Sequence, residues 1–599
     1  MRRLLRPPNL FLVSTYLLLS VVPALPLVFG RTVESPARLA GMEVVAWLAL
    51  WALFKRPARF HWLLLPAFLV LPLEVYLQCY FNQGVSTHHL GIILETSPKE
   101  AVEFLGAKVW LLAGIALGMV AWFLASWRAA ATTHDLDWVD SSRFVLIGLL
   151  TLAALLWLYD VNPAAADKPS TRASSNPPLG DSFTPDNTRF PKWPAWARVP
   201  FDVTSFGMTW PFGLAVRGHE FWQERQYLAS LTHKSTLFHF GAQQRTDLDM
   251  PQVFVMVIGE SSRFDRWGLN GYTRDTNPSL RQEKNLVSLS DVITAVSATR
   301  LSVPVLVSRK PATQSLRAGF SEKSFLSAFK EAGFKTYWLS NQMSFGKFDT
   351  PVSVFAKEAD VARFFNFGGF ASGSSFDEVL LEPLKSAIGE PARKKLIVLH
   401  TLGNHWNYSH RYPKQYDKWQ PSLFGVASPA YTDIAIKASL NNSYDNSVLY
   451  TDWFLAQVIR ELKASKHVAA MMYVSDHGQT LYDGSCKLAF HGHNTQFEFH
   501  IPALVWYSDL YRLTHPTKVT RLLKNQHAKL ATENIFHSLL DMADIRYSTE
   551  QLEWSFFSKQ FRTHKRYVDS YGWTDYDNAT FRGDCREVID KGTPLAQEK

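Results

Sequence analysis

With 599 residues the chain has room for two or three domains, and its 47% of apolar residues are unevenly spread. The formal net charge of +9 comes from dispersed Lys and Arg, which argues against nucleic acid as a partner and suits retention at an anionic lipid surface. Only three cysteines are present and no CxxC zinc pattern exists; Cys486 and Cys585 could pair in an oxidising compartment, although spacing alone fixes no geometry.

In chain order, the first ~160 residues hold about five long apolar runs. They cover residues 9–30, 40–54, 61–81, 108–127 and 143–160. The second is the weakest, being short and carrying Glu43. Four further runs and no small-x-small cleavage pattern make the first an uncleaved anchor rather than a signal peptide. MRRLLR precedes the first run, KRPAR (Lys55 to Arg59) separates the second from the third, and Arg128 and Arg143 flank the loop after the fourth. The positive-inside rule puts these three sites in the cytoplasm, and five spans then leave the C-terminal part outside. In a Gram-negative host that is a multi-pass inner-membrane protein with a periplasmic catalytic domain.

Residues 161–200, rich in Pro, Ser and Asn, read as a linker. Residues 200–232 mix Trp, Phe and Arg, as in a helix lying in the membrane interface, with packing under the soluble domain as the equal alternative. The boundaries expected are therefore 1–160 for the membrane domain, 161–235 for linker and interfacial helices, and 236–599 for the catalytic domain. From about 250, PQVFVMVIGE, FKTYWLSN, KKLIVLHT, AAMMYVSDHG and IPALVWYS read as strands. They alternate with the helical patterns SFLSAFKEAG, SFDEVLLEPLKSAIG, SYDNSVLYTDWFLAQVIRELKAS and TENIFHSLLDMAD. This alternation predicts an α/β domain with a mostly parallel sheet.

Three of the strands run into chemistry. VFVMVIG leads to Glu260, KLIVLH to His400 and then His405, and AAMMYVS to Asp476 and His477. In open α/β sheets the ligand crevice lies at the carboxyl ends of the strands. Glu260, Asp476 and His477 match the count of protein ligands in a catalytic zinc site that keeps one position open. The competing reading of each is plain: a helix N-terminal acid for Glu260, a cap for Asp476, a surface imidazole for His477. Thr294, Ser297, Thr299 and Ser302 are the candidate hydroxyl nucleophiles, and composition does not choose between them. If Pro304 lies in the first turn of a helix, a hydroxyl just before it would put a phosphoryl group on the N-terminal amides, a geometry that Thr299 fits best.

The strings VIGESSRFDRWGLNGYTRDTNPSL, SATRLSVP, VLHTLGNHWNYSHRYP, NSYDNSVLYTD, YVSDHG and FHGH resemble the bacterial phosphoethanolamine transferases, integral-membrane members of the alkaline phosphatase/sulfatase superfamily. The resemblance runs from the apolar runs to about residue 510. It implies zinc, one ion with a second possible, held by Glu260, Thr299, Asp476 and His477. It also implies Thr299 as the nucleophile that becomes phosphorylated. His405 and His491 match substrate-site histidines, and His400 matches another nearby. His493 would face the same side as His491 in an extended segment, against a solvated side chain as the default. The implied donor is phosphatidylethanolamine, and the implied acceptor is lipid A, the lipopolysaccharide core or a glucan. Asn270 and Arg274 belong to the first motif without an assigned role.

The chain departs from the family in placing Ala295 and Val305 where many members have cysteines, and in reading DHGQ, with Gln479, for DHGE. These departures leave the implied metal set intact and put the acceptor in doubt. His410 and Arg411 read as structural or rim residues, and Asn442, Tyr444, Asp445 and Asn446 as the opening turn of a long helix, where Asn and Asp are usually caps. A sulfatase would need Cys or Ser in a C/S-x-P-x-R element, and Ser302 in SVPVL lacks the Arg. A phosphoglycerol transferase is the enzymatic alternative. A membrane scaffold or sensor with an inactive domain is the alternative of another class; it predicts a lost ligand or nucleophile.

Overall fold

A computed structural model of the chain describes residues 6–28, 35–81, 84–95, 108–161, 201–234, 238–246, 248–314, 322–343, 351–366, 376–426 and 433–590, with the single positions 33, 199, 429 and 431. Residues 162–198, most of the expected linker, lie outside the described residues. The chain packs as two units, one chiefly from Met1–Ile92 and Trp110–Phe221, the other from Trp222–Leu595 with Ile93–Val109.

The first unit is helical. Its long helices are α1 (Pro7–Val21), α2 (Pro36–Phe54), α3 (Leu65–Phe81), α4 (Lys108–Thr132) and α5 (Ser142–Val161). Four spans, Pro7–Val28, Pro36–Phe54, Pro57–Cys79 and Val109–Thr132, are long and apolar enough to cross a membrane. The fifth expected run forms α5, whose apolar stretch Ser142–Leu158 is shorter. The second run is longer than 40–54, because Pro36 supplies a favourable first-turn residue and the helix starts there. Glu43, which made that run look weak, is buried and accepts the backbone N–H of Trp210 at 3.1 Å. In α3, Glu74 is fully buried and pairs with Arg217 at 2.7 Å. Glu74 also accepts the Val85 amide and a Gln78 amide hydrogen, while Arg217 donates to the carbonyls of Gly207 and Thr209. Trp210 and Arg217 thus pack into the helical unit.

The second unit is built on an eight-stranded sheet. Its strands are β1 (Gln252–Gly259), β2 (Leu286–Ile293), β3 (Lys335–Met343), β4 (Val361–Asn366), β5 (Lys394–His400), β6 (Val468–Ser475), β7 (His500–Tyr507) and β8 (Leu530–Ala531), in the order β8-β2-β7-β6-β1-β5-β3-β4. Every pairing is parallel except those of β7 with β2 and β6. β1 and β6 are buried at every residue, which is why they read as unbroken apolar runs. The strands β2, β4 and β8 escaped the sequence reading. β2 and β4 are partly exposed with mixed polarity, and β8 is two residues long. Helices cover both faces of the sheet, over two separate apolar clusters.

Two expectations about helices are corrected. α6 (Thr299–Val307) begins at Thr299, so Pro304 lies inside the helix and not in its first turn. Thr299 is therefore the first helical residue rather than the one before it. The long helix α7 (Lys437–Ser465) begins six residues before Ser443, so Asn442, Tyr444, Asp445 and Asn446 are interior, buried positions and not caps.

Candidate active site

Register brings the motifs to one edge. β1 lies between β5 and β6, with Ile258 opposite His400 and Gly259 opposite Ser475. The residues that follow these strand ends therefore converge. Glu260, Asp476 and His477 are all buried, with one ligand-type atom of each within 4.8 Å of the others. His477 Nε2 lies 3.4 Å from Glu260 Oε1 and 3.6 Å from Asp476 Oδ2. Thr299, at the first turn of α6, donates from Oγ1 to Glu260 Oε2 at 3.1 Å and stands 3.3 Å from His477 Nε2.

Each group is oriented from behind. The Gly478 carbonyl, which can only accept, takes the His477 Nδ1 proton at 2.9 Å; this fixes the tautomer and turns the Nε2 lone pair toward the carboxylates. Asp476 Oδ1 receives the amides of Ser261 and His477, but its buried Oδ2 has no hydrogen-bond partner. Glu260 accepts Ser261 Oγ at 2.6 Å and Gln342 Nε2 at 3.2 Å. Burial, and then the Asp476 charge, push the Glu260 carboxyl well above the usual carboxylate range. Among the described residues the salt-bridge partner of both carboxylates is the His477 imidazole. Two buried carboxylates, an imidazole lone pair, a hydroxyl and an orphaned carboxylate oxygen are the donor set of a divalent cation such as zinc.

Backbone conformation supports this packing. Ser261 is held at φ 57°, a costly conformation for a residue with a side chain, and its amide and hydroxyl serve Asp476 and Glu260 respectively. Gly403 has φ 47°, and a Cβ there would stand 2.8 Å from the Glu260 carbonyl oxygen.

The remaining histidines are spread around the cluster. The His491 ring lies 4.5 Å from that of His477, with Nδ1 3.4 Å from Gln479 Oε1. Gln479 in turn donates to Ser261 Oγ at 2.8 Å. The His405 Nδ1 proton goes to the Trp406 carbonyl, and burial, then Arg411, lowers its pKa to about 3. His400 is buried beside Ser340 and Trp338, and burial lowers its pKa to about 4. The His493 Nε2 proton is directed to the Ala489 carbonyl at 2.8 Å. Neither His400 nor His493 is part of the four-residue cluster.

Several contributors were not singled out in the sequence. Gln342, at the end of β3, bridges Glu260 and the Thr401 carbonyl. The same strand-to-polar transition that marked Glu260 marks it too. Asp377 accepts the amides of Leu402 and Gly403 and so holds the turn before His405; no local pattern announces it. Tyr444, read from the sequence only as part of a helix-opening turn, donates to the Ser261 carbonyl and accepts the Arg263 amide. Arg274 now has a described place, pairing with Asp445 at 2.7 Å and bonding Asn442, while Asn270 accepts from Ser288.

Cys486 and Cys585 form a disulfide across 99 residues. It belongs to a seam between the His491 loop and a late hairpin. Asp584 accepts from the Ser485 amide and hydroxyl, Gln496 N–H donates to the Arg586 carbonyl, and Val588 N–H to that of Asn494.

Residues 252–545 match the family model described as Sulfatase. This part of the chain is a Sulfatase-family domain. The chain outside it also has relatives. Phosphoethanolamine transferase EptC of Escherichia coli (strain K12) is 27% identical over 508 residues, 82% of this chain and 81% of that protein. The Kdo(2)-lipid A phosphoethanolamine 7''-transferase of Salmonella typhimurium (strain LT2) is 32% identical over 308 residues, 50% of this chain and 49% of its own. Among solved structures, the C-terminal periplasmic domain of EcEptC from Escherichia coli, in complex with Zn, matches the sulfatase-family part with a TM-score of 0.51 and 26% identity, covering 59% of this chain and 98% of that one. The integral membrane lipooligosaccharide phosphoethanolamine transferase A of Neisseria meningitidis shares the fold over 92% of this chain and 98% of its own, at TM-score 0.61 and 20% identity. The resemblance read from the motifs, and the two-part architecture, are borne out.

Proposed function

We propose that this protein transfers phosphoethanolamine from phosphatidylethanolamine to an envelope glycolipid or glycan, lipid A or the lipopolysaccharide core first among them, through a phosphorylated Thr299. One observation carries the reading: the Thr299 hydroxyl stands at a helix N-terminus, within hydrogen-bond reach of a buried carboxylate and imidazole cluster. Similarity to named phosphoethanolamine transferases supports the group transferred, and the Zn complex of the EcEptC domain supports zinc as the ion. The membrane spans suit a bilayer lipid as donor, and the sequence's charge pattern suits an inner membrane with the catalytic unit on the periplasmic side.

Glu260, Asp476, His477 and Thr299 Oγ1 would hold the metal. When bound, zinc lowers the pKa of the threonine hydroxyl and neutralises phosphate charge. Thr299 Oγ1 forms a bond to phosphorus as the bond to the diacylglycerol oxygen breaks. Thr299 gives up one proton and the leaving oxygen gains one; the resemblance assigns His405 and His491 to move it and to steady the developing charge, and the His491 ring lies 4.5 Å from that of His477. The first-turn amides of α6 face the same phosphoryl group. His400 and His493 are assigned to the substrate region by the family resemblance alone, His400 being buried against Ser340 and Trp338. An acceptor oxygen then attacks the phosphothreonine from outside, restoring the hydroxyl.

The test is peptide mass spectrometry of the full-length protein after incubation with phosphatidylethanolamine, beside Thr299→Ala. The expected result is a phosphoethanolamine adduct on the peptide carrying Thr299, absent in the variant. Release of diacylglycerol without any adduct would remove Thr299 as nucleophile; no lipid turnover despite bound zinc would remove the donor.

A further inference from the structure

The helical unit contains a groove of about 680 Å³ lined by Phe54, Ala58, Arg59, Trp62, Phe123, Leu124 and Trp127. That volume is within the range of small-molecule sites. Its wall is apolar apart from one guanidinium, and Trp62, Leu124 and Trp127 are 60%, 52% and 42% exposed along it. These residues come from the end of α2, from the turns between α2 and α3, and from the last turns of α4.

Among the described residues the polar groups of the groove have no hydrogen-bond or ion-pair partner. Arg59 is exposed and makes no hydrogen bond or ion pair among the described residues, although its neighbour Arg56 is paired with Asp137 at 2.9 Å. The indole N–H groups of Trp62 and Trp127 likewise find no acceptor among the described residues, whereas those of Trp47, Trp51, Trp122 and Trp138 all have one. A cation and two donors therefore line an open apolar groove near the ends of membrane-length helices, where Trp and Arg commonly meet lipid headgroups.

We infer that this groove is a binding site for an anionic glycerophospholipid, with the phosphate on Arg59 and the two indoles and one acyl chain along Phe123 and Leu124. Charge selects the headgroup. No Asp or Glu lines the groove, so the ammonium of a zwitterionic lipid would find no partner there and would be repelled by Arg59. A net-negative headgroup has no such conflict, and basic pockets between membrane helices recognise such lipids. The site is thus chemically unlike one for an ethanolamine donor, and the inference does not rest on the transfer reaction proposed above.

The experiment is native mass spectrometry of the delipidated full-length protein in mild detergent, titrated with phosphatidylglycerol or phosphatidylethanolamine of the same acyl chains. The unmutated protein is expected to retain the first about fivefold better, the factor one basic residue commands at an anionic surface. Arg59→Gln should erase the preference and Arg59→Lys should keep much of it. Trp62→Ala combined with Trp127→Ala should weaken retention of both lipids. Equal retention of the two lipids by the unmutated protein would overturn the site, as would an undiminished preference in Arg59→Gln.

Discussion

Buried carboxylates occur in both units, and they are treated in opposite ways. In the helical unit Glu74 is enclosed by Arg217, the Val85 amide and Gln78, and Glu43 receives the Trp210 amide. In the sulfatase-family unit Glu260 and Asp476 face each other across one imidazole, and one oxygen of Asp476 receives nothing. A buried acid that is fully partnered holds chain segments together. A buried pair left short of positive charge is a site prepared for something to arrive, and it costs the fold stability until that arrives.

The largest effect that would sharpen this contrast is at the hydroxyl. Thr299→Ala should lower turnover by about 10³-fold or more and, because it also removes one of four donors, weaken metal retention without abolishing it, measured by lipid product release and elemental analysis. A variant with substantial turnover would mean the cluster serves another nucleophile. Next in size is the contrast itself. Glu74→Ala strands a buried guanidinium and should cost about 3–5 kcal/mol, read as a lowered Tm in detergent. Glu260→Gln should leave the stability of the metal-free protein unchanged or raised, because it removes like-charge repulsion, yet abolish metal retention. Equal destabilisation by both variants would break the distinction.

Smaller still is the effect of the groups behind the ligands. Gln342→Ala should weaken metal affinity by about 10–100-fold, as loss of an outer-shell hydrogen bond does, with competition against a chelator as the readout. The smallest effect is on pH dependence. Burial, the largest cause in each, lowers His537 to about 3 and His515 to about 4, well below the value of an unfolded histidine. The unfolded chain therefore binds more protons than the folded one between about pH 4 and 6.5, so stability falls as pH falls through that window. Each histidine contributes at most about 1.4 kcal/mol per pH unit. Urea midpoints at pH 7 and 5 should differ in that direction, and His537→Phe should flatten the slope.

Much of this was legible because parallel strands buried on both faces write themselves as apolar runs, and whatever follows such a run stands at the ligand edge. Glu260, His400 and Asp476 follow three adjacent strands for that reason. Gln342 obeys the same rule but was passed over, since an amide announces no chemistry. Asp377 acts only through a turn 25 residues away, and such a contact has no local trace. Pro304 misplaced the start of α6 because a proline inside a helix is the rarer case, and Glu43 made α2 look weak because its partner, Trp210, lies 167 residues further on. Partly exposed strands such as β4 lack the periodic signal altogether.

The seam closed by Cys486 and Cys585 has a consequence for biogenesis. The loop that presents His491 leaves the ribosome about a hundred residues before the hairpin that clasps it. During that interval the strands leading to Glu260 and Asp476 can pair and the sheet can form, but the loop lacks the contacts of the seam. The His491 loop is therefore the part of the unit that gains its support last, when the final hairpin docks and the two thiols are oxidised. A nascent chain halted before Cys585 would hold Glu260, Asp476 and His477 yet lack the clasp on the His491 loop.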